Sequence, residues 1–192
     1  IVLGKYFFEN RSRANYNEIP ENLINAFIST EDVRFRNHSG IDGRALLRAI
    51  YGALIGKSSS GGASTITQQL SKMLFTEKPS SGIERVMQKL KEWIISGQLE
   101  KRYTKDEILT MYLNRFDWVN NAVGIKSASQ VYFNKAPIDL NVSESAMLVG
   151  MLKNPSYYNP NRRMELTLGR RNIVLSQMKK YEVISDSLYD TL

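Results

Sequence analysis

Two glutamates and a polar helix start are the residues whose types and spacing could do chemistry in this sequence. Glu31 and Glu92 flank a segment, 61–72, that is rich in hydroxyls and amides and ends in the ammonium group of Lys72. A carboxylate can take or give a proton, and amides with a lysine at a helix start can hold phosphate. Together they would suit the transfer of a sugar whose leaving group is a diphosphate.

Glu31 lies near the C-terminal end of a predicted helix over 20–35. Ile24, Phe27 and Glu31 share a face of that helix, because residues four and seven apart lie one and two turns along it. The carboxylate therefore lies where the apolar stripe turns towards the core, as a general acid or base requires. The alternative is a carboxylate at the edge of the core that is paired with a nearby arginine.

The residues that follow Glu31 favour a site over an isolated carboxylate. Asp32 adjoins it, Phe35 can pack beneath it, and His38 follows within a tight segment that reaches residue 42. A lone histidine is more often a structural hydrogen-bonding residue than a catalyst. We therefore interpret Phe35 and His38 as support for the two carboxylates.

The segment after two glycines predicts a helix over 64–75 with an anion at its N-terminus. Thr65 and Gln68 have the spacing of a capping box, and free amides at a helix start favour an anion. A glycine-rich cap alone usually only starts a helix, and no Walker A pattern is present. Lys72 on the polar face makes a phosphate site the better interpretation. The predicted lining is Ser64, Thr65, Gln68, Gln69 and Lys72.

A helix over 83–101 carries two cations and one carboxylate on a single stripe. Arg85, Lys89 and Glu92 lie at i, i+4 and i+7. The stripe is either a solvated face with a weak salt bridge or the wall of an anion-binding cleft. The apolar face predicted to pack inward is Val86, Leu90, Trp93 and Gly97.

Helical periodicity predicts a mainly α-helical, irregular single domain with little strand. Thr104 and Glu107 form a capping box at the start of one further helix. A short strand is predicted at 6–8 in an extended lead-in. The segment 44–56 is apolar with basic residues, which fits either a membrane interface or a buried helix. The further predicted helices are 105–114, 121–132, 143–152 and 163–180.

Composition narrows the function classes. The 192 residues include no cysteine and one histidine, which excludes disulfides and multi-histidine metal sites. The net charge of +7 indicates an anionic partner, which could be nucleic acid, an anionic membrane surface or a phosphorylated substrate. The sequence has no apolar run long enough to cross a bilayer.

Five motifs, in order, resemble those of the peptidoglycan glycosyltransferase domain, glycosyltransferase family 51. That domain occurs in bifunctional class A penicillin-binding proteins and in monofunctional transglycosylases. The matching segments are Glu31-Asp32-x-x-Phe35-x-x-His38-x-Gly40-x-Asp42, Gly61-Gly62-Ala63-Ser64-Thr65-Ile66-Thr67-Gln68-Gln69-Leu70-Ser71-Lys72, Lys89-x-x-Glu92, Lys105-Asp106-Glu107-Ile108-Leu109-x-x-Tyr112-Leu113-Asn114, and Glu144-x-Ala146-x-Leu148-x-Gly150-x-x-x-x-Pro155-x-x-Tyr158-x-Pro160.

The resemblance implies a lysozyme-like, mainly α-helical fold with a head lobe and a small membrane-facing jaw lobe. The domain would span 20–180, with the jaw at 43–60 and the start of a linker at 181–192. The lead-in, 1–19, would follow a membrane-spanning helix. The expected location is the outer face of the bacterial cytoplasmic membrane, and a transpeptidase domain could follow in the full protein.

The resemblance also implies the reaction, in which lipid II is polymerised with inversion at the anomeric carbon and release of undecaprenyl diphosphate. Glu31 matches the family's base and Glu92 its second carboxylate. Lipid II and the nascent glycan chain are the expected partners. No cofactor is required, although magnesium assists some members. The matched cleft residues are Asp32, Ser64, Thr65, Gln68, Gln69, Lys72 and Lys89, and Arg85 is added because Gln88 stands where the family usually has arginine.

Two other functions compete with this interpretation. A lysozyme-type or lytic enzyme would need an acidic glutamate and a glycan groove but no diphosphate site. A basic nucleic-acid-binding domain would need neither Glu31 nor Glu92, and its binding would depend on salt. The polar helix start and the Arg85/Lys89 stripe favour the polymerase over both, so no nucleic acid partner is expected.

Overall fold

The computed structural model describes residues 10–11, 13–56, 62, 64–75 and 81–192. The described elements are mainly helical, which confirms the predicted fold class. Two short strands, β1 (Asn10–Arg11) and β2 (Ala122–Val123), pair in parallel with Asn10 opposite Ala122. The helices are α1 (Glu21–Glu31), α2 (Gly43–Leu54), α3 (Ile66–Phe75), α4 (Gly82–Arg102), α5 (Lys105–Arg115), α6 (Ile125–Phe133), α7 (Val142–Met151), α8 (Met164–Lys180) and α9 (Asp186–Thr191). Short 3-10 turns lie at Tyr16–Glu18, Phe35–Asn37 and Pro137–Asp139.

Two predicted helix ends lie four residues from those in the structure, and one helix forms within the predicted linker. The first helix ends at Glu31 instead of 35, and a 3-10 turn follows at Phe35–Asn37. Helix α6 begins at Ile125 instead of 121, because Ala122–Val123 pairs with β1. Within the predicted linker, α9 forms because the Ser185 hydroxyl accepts a hydrogen bond from the Leu188 amide. The strand predicted at 6–8 lies outside the described residues.

The chain divides into two compact units, which we call the flanking unit and the central unit. The flanking unit contains the described residues up to Thr30 together with Leu113–Leu192, and the central unit contains Glu31–Tyr112. The first four motifs fall in the central unit, apart from Leu113 and Asn114 at the end of the fourth. The predicted head and jaw boundaries stay a prediction.

The core of the flanking unit is built on α7 and α8. Helix α7 is buried along most of its length, and the buried Trp118 donates from Nε1 to the Leu148 carbonyl at 3.0 Å. A side chain at Gly150 would come within 3.1 Å of Arg170 on α8, so glycine lets the two helices approach closely. Asn114 joins the start of the chain to this unit, because its side chain makes two 2.8 Å hydrogen bonds to the backbone of Ala14.

In the central unit, α3 packs against α4 with Ile66 and Leu70 fully buried, as the sequence predicted. A largely buried ion pair between Lys105 and Glu100 also stabilises the central unit. Lys105 Nζ donates to the Glu100 carboxylate at 2.8 Å, and Thr67 Oγ1 donates to the same carboxylate at 2.5 Å. The capping box at Thr104 and Glu107 is confirmed, since each residue's backbone amide is bound by the other's side chain. None of the helices in the described ranges combines the length and apolar character needed to cross a bilayer.

Candidate active site

Gly40 of the first motif contacts both the start of α3 and the helix α4. Its backbone has φ of +89°, and a Cβ there would come within 3.0 Å of the Ser96 backbone on α4. Its carbonyl accepts hydrogen bonds from Thr65 Oγ1 at 2.6 Å and Gln68 Nε2 at 3.2 Å. Only glycine tolerates both the left-handed backbone and the close approach to α4. This loop therefore sets the position of α3 relative to α4.

Asp32 provides the anion at the start of α3. Its carboxylate accepts a hydrogen bond from the Ile66 amide at 3.1 Å and lies 2.9 Å from His38 Nε2. The Gln68 amide is bound by Thr65 Oγ1 at 3.2 Å, which forms half of the predicted capping box, while the Gln68 side chain turns to Gly40 instead. An amide of α3 that was predicted to face phosphate is thus bound by a carboxylate of the protein, and the helix dipole favours that carboxylate.

Glu31 is joined to α3 by Gln69. Gln69 Nε2 donates to Glu31 Oε2 at 2.9 Å, and Tyr112 donates its hydroxyl hydrogen to Gln69 Oε1 at 2.9 Å. Burial, together with the negative charge of Glu31, raises the pKa of the Tyr112 phenol above its usual range, so the hydroxyl keeps its proton. The three side chains form one continuous hydrogen-bonded series.

Lys89 and Glu92 form the second charged pair of the site. Lys89 Nζ donates to Glu92 Oε2 at 3.0 Å and to Ser64 Oγ at 2.9 Å. Glu92 is only 5% exposed, and its backbone carbonyl accepts hydrogen bonds from the hydroxyls of Ser71 and Ser96. A buried carboxylate thus holds the ammonium of Lys89 beside the start of α3.

Between α3 and α4 lies a cleft of about 730 Å³. Of the residues that the structure describes, three cations and one carboxylate line this cleft, so it favours an anionic ligand. The charged and polar lining residues are Ser64, Gln68, Gln69, Lys72, Arg85, Gln88, Lys89 and Glu92, and the apolar ones are Val86, Leu90 and Trp93.

The cleft brings together most of the predicted site residues. Asp32 and Thr65 are buried beside it, with their oxygens engaged by the protein, and Glu31 is connected to it through Gln69. The side chains of Phe35 and His38 are buried, and Lys105 Nζ donates to the His38 carbonyl. Their role as supports for the two carboxylates stays a prediction. Gln88, which replaces the usual arginine, lines the cleft beside Arg85.

The prediction that Val86, Leu90, Trp93 and Gly97 form the inward-packing face of α4 is wrong. The buried positions of this helix are Glu92, Ser96 and Leu99, whereas Val86 and Leu90 are exposed. With 3.6 residues per turn, Val86 and Trp93 lie within about 60° of Lys89, so they belong to the charged face and not to an opposite one. This angular separation can be calculated from the sequence, and it could have shown that these apolar residues do not form a separate inward face. The small residues Ser96 and Gly40 allow the polar side of the helix to pack inward instead.

Asp42 fixes the start of α2. Its carboxylate accepts hydrogen bonds from the Ala45 amide at 3.0 Å and from Arg34 Nη2 at 2.7 Å. Burial raises the pKa of the Asp42 carboxyl, but the Ala45 hydrogen bond and the Arg34 pair outweigh burial and lower that pKa overall. The carboxylate is therefore a charged helix cap.

Among the described residues of the central unit, no dedicated set of magnesium ligands is present. No group of three or more acidic or histidine side chains within the described ranges could hold a metal ion. The one carboxylate lining the cleft, Glu92, is already paired with Lys89, and three cations surround it. Hard divalent cations prefer several free oxygen ligands, so the residues present do not fit a metal site of the protein's own.

Comparison with known proteins identifies the family. The family model described as Transglycosylase matches residues 2–179. The chain belongs to the transglycosylase family. It is 38% identical over 189 residues to penicillin-binding protein 1A of Escherichia coli (strain K12), which covers 98% of this chain and 22% of that protein. It is also 40% identical over 183 residues to penicillin-binding protein 1F of Bacillus subtilis (strain 168), covering 95% of this chain and 25% of that protein.

A third relative, penicillin-binding protein 1A of Streptococcus oralis, is 40% identical over 182 residues, covering 95% of this chain and 28% of that protein. The transglycosylase chain thus spans about a quarter of the length of the curated relatives it matches. Its activity is that of a peptidoglycan glycosyltransferase in cell-wall synthesis, as the motifs predicted.

Proposed function

We propose that this transglycosylase domain polymerises lipid II into glycan strands. The 4-hydroxyl oxygen of the acceptor lipid II forms a bond to the anomeric carbon of the growing chain. The hydroxyl proton passes to Glu31. The bond from the anomeric carbon to the diphosphate oxygen breaks, its electron pair leaves with undecaprenyl diphosphate, and the configuration inverts from α to β.

The observation that carries this proposal is the cationic cleft joined to a carboxylate through Gln69. A sugar hydroxyl is only weakly acidic, so the attack requires a base such as Glu31. The leaving diphosphate gains negative charge, which fixed cations stabilise without reorganising. Lys72, Arg85 and Lys89 all line the cleft and supply that charge.

Glu92 acts in this scheme on Lys89 and not on the sugar. Its carboxylate holds the ammonium 3.0 Å away, and the hydroxyl of Ser64 fixes the same ammonium from the other side. Because neither partner needs to move when a diphosphate arrives, the positive charge is already in place. Magnesium could assist only through the diphosphate oxygens, and no step depends on it.

The exposed face of α2 supports a location at a membrane surface, which we propose is the outer face of the bacterial cytoplasmic membrane. Leu47 and Leu54 are 69% and 80% exposed, and Tyr51 lies beside them on the same helix. Arg44 and Arg48 add positive charge to the helix. An apolar face with basic residues suits a helix that lies in the interface of an anionic membrane. The nascent glycan and, in a longer protein, a transpeptidase domain are the proposed partners.

A glycan-cleaving enzyme is the other candidate, but no contact among the described residues of the central unit favours it. Cleavage of a neutral glycan would need Glu31 and a groove, whereas the cleft here also brings three cations together with Gln69, the hydrogen-bond partner of Glu31. A nucleic-acid-binding function would likewise leave Glu31 and its bond to Gln69 without a purpose.

Turnover of labelled lipid II in detergent tests the proposed function. Wild type should form glycan polymer and release undecaprenyl diphosphate, whereas Glu31→Gln should lose at least about 100-fold in rate, the lower range for a general base. Glu165→Gln, at an exposed position on α8, is the matched control and should retain wild-type activity. Cleavage of preformed glycan without polymerisation would overturn the proposal, and full activity of Glu31→Gln would overturn the assignment of the base.

A further inference from the structure

We infer that Tyr112, acting through Gln69, is a positioning residue that fixes the orientation of the Glu31 carboxylate. This inference rests on the proposed function, because it concerns the proposed base. It also changes the interpretation of Gln69, which was predicted from sequence to contact substrate. The observation behind it is the series Tyr112 hydroxyl, Gln69 amide and Glu31 carboxylate, with two hydrogen bonds of 2.9 Å.

The direction of the series follows from the chemistry of its two ends. At one end, Tyr112 is 2% exposed and its phenol stays protonated, so it has a hydrogen to donate. At the other end, an ionised Glu31 can only accept hydrogen bonds. An amide between them satisfies both only when its oxygen faces Tyr112 and its nitrogen faces Glu31. Rotating the amide by half a turn would place the Gln69 oxygen against the carboxylate, which is repulsive.

The series therefore leaves the base in one defined state. Gln69 occupies Glu31 Oε2, so the carboxylate plane is fixed and Oε1 is the oxygen assigned to receive the substrate proton. Small errors in the placement of a reacting group can lower the rate severely. Without the Tyr112 hydroxyl, only the bond to Glu31 would orient the Gln69 amide, so the Glu31 carboxylate would be held less firmly while retaining its charge.

Kinetics of lipid II polymerisation test this assignment. Tyr112→Phe should lower kcat about tenfold and leave KM within about twofold, because it disturbs the base and not the binding cleft. Tyr132→Phe is the matched control, since its hydroxyl donates to the Trp118 carbonyl within the flanking unit. That variant should keep wild-type kcat. An unchanged kcat in Tyr112→Phe, or a rise in KM alone, would overturn the inference.

A double-mutant cycle separates positioning from general loss of structure. In a Gln69→Met background the series is already broken, so adding Tyr112→Phe should cause no further loss of kcat. If the two losses multiply instead, Tyr112 does not act through Gln69 and the inference fails. Thermal melting of each variant shows whether it is folded at the assay temperature.

Nuclear magnetic resonance gives a readout that needs no turnover. The side-chain amide signals of Gln69, assigned by their absence in Gln69→Met, should shift and exchange faster with water in Tyr112→Phe, and should be unaffected in Tyr132→Phe. Unmoved signals would show that no hydrogen bond from Tyr112 orients the amide. Because wild-type turnover is measured separately, a wild-type chain that ignores lipid II would count against the proposed function alone.

Discussion

Lys105 Nζ lies 4.3 Å from the centre of the Phe35 ring and donates a 2.6 Å hydrogen bond to the His38 carbonyl. The fourth motif thereby supports the first, since Phe35 and His38 follow the proposed base closely in the chain. The same ammonium is paired with Glu100, whose side chain is 6% exposed. Lys105 is thus a largely buried cation with three fixed partners.

Replacing Lys105 should destabilise the domain. In Lys105→Met the buried Glu100 carboxylate loses its cation, and breaking a buried pair in this way costs about 3 kcal/mol of the free energy of unfolding. Urea unfolding measures that change, and Lys153→Met at an exposed position should alter it by less than about 0.5 kcal/mol. Adding Glu100→Gln should recover part of the loss. A single variant as stable as wild type would contradict the role assigned to this pair.

Replacing Gly40 should also destabilise the domain, through the backbone. Gly40→Ala forces a Cβ to within 3.0 Å of Ser96 at a backbone φ of +89°. We expect a loss of about 2 kcal/mol, typical of strain combined with overpacking. Gly43→Ala is the matched control, because a Cβ added at Gly43 would meet nothing within 4 Å. Equal stability of the two variants would show that the loop moves to accommodate the side chain.

The stability contributed by Asp42 should depend on pH in one direction. Its pKa is lowered in the folded state, so its contribution is fully present above the unfolded pKa near 3.8 and is lost as pH falls through the folded value. The difference in unfolding free energy between wild type and Asp42→Asn should therefore be constant from about pH 7 to about pH 5 and shrink below about pH 4. A difference that stays constant down to about pH 2 would mean that Asp42 is not charged in the fold.

Lys89 should matter for the reaction far more than its neighbour Lys91. Lys89→Met removes a cation that lines the cleft, and we expect the rate of lipid II polymerisation to fall about 100-fold, as for other groups that stabilise transition-state charge. Lys91→Met, an exposed change on the same helix, should reduce it by less than about twofold. Initial rates with both variants at saturating lipid II test this. Comparable losses would indicate that only the overall charge of α4 is important.

The sequence predicted those parts of the site that depend on local spacing. The buried side of α3, the capping box at Thr104 and the membership of Lys89 and Glu92 in one charged stripe all follow from helical periodicity. The packing of α4 could not be obtained that way. Its polar face turns inward because Gly40 and Ser71, which are distant in sequence, and Ser96 on the helix itself leave room for it. Hydrophobicity alone indicated that Val86, Leu90 and Trp93 pack inward, whereas Val86 and Leu90 are exposed.

The hydrogen bond between Asp32 and the start of α3 could not be predicted from the sequence for the same reason. The spacing of the α3 start indicated an anion there, but sequence distance gave no sign that the anion is a side chain from 34 residues earlier. The Tyr112 to Glu31 series likewise spans three separate motifs, so only the folded chain reveals its order.

The hydrogen bond from the Ile66 amide to Asp32 has a mechanical consequence. It attaches the residue next to the base to the first turn of the helix that forms the floor of the cleft, while Gln69, one turn further on, holds the base itself. Two hydrogen bonds about one helical turn apart therefore hold the Glu31–Asp32 segment against α3. We therefore expect Glu31 to move together with α3, which would keep the proposed base at a constant distance from the cleft.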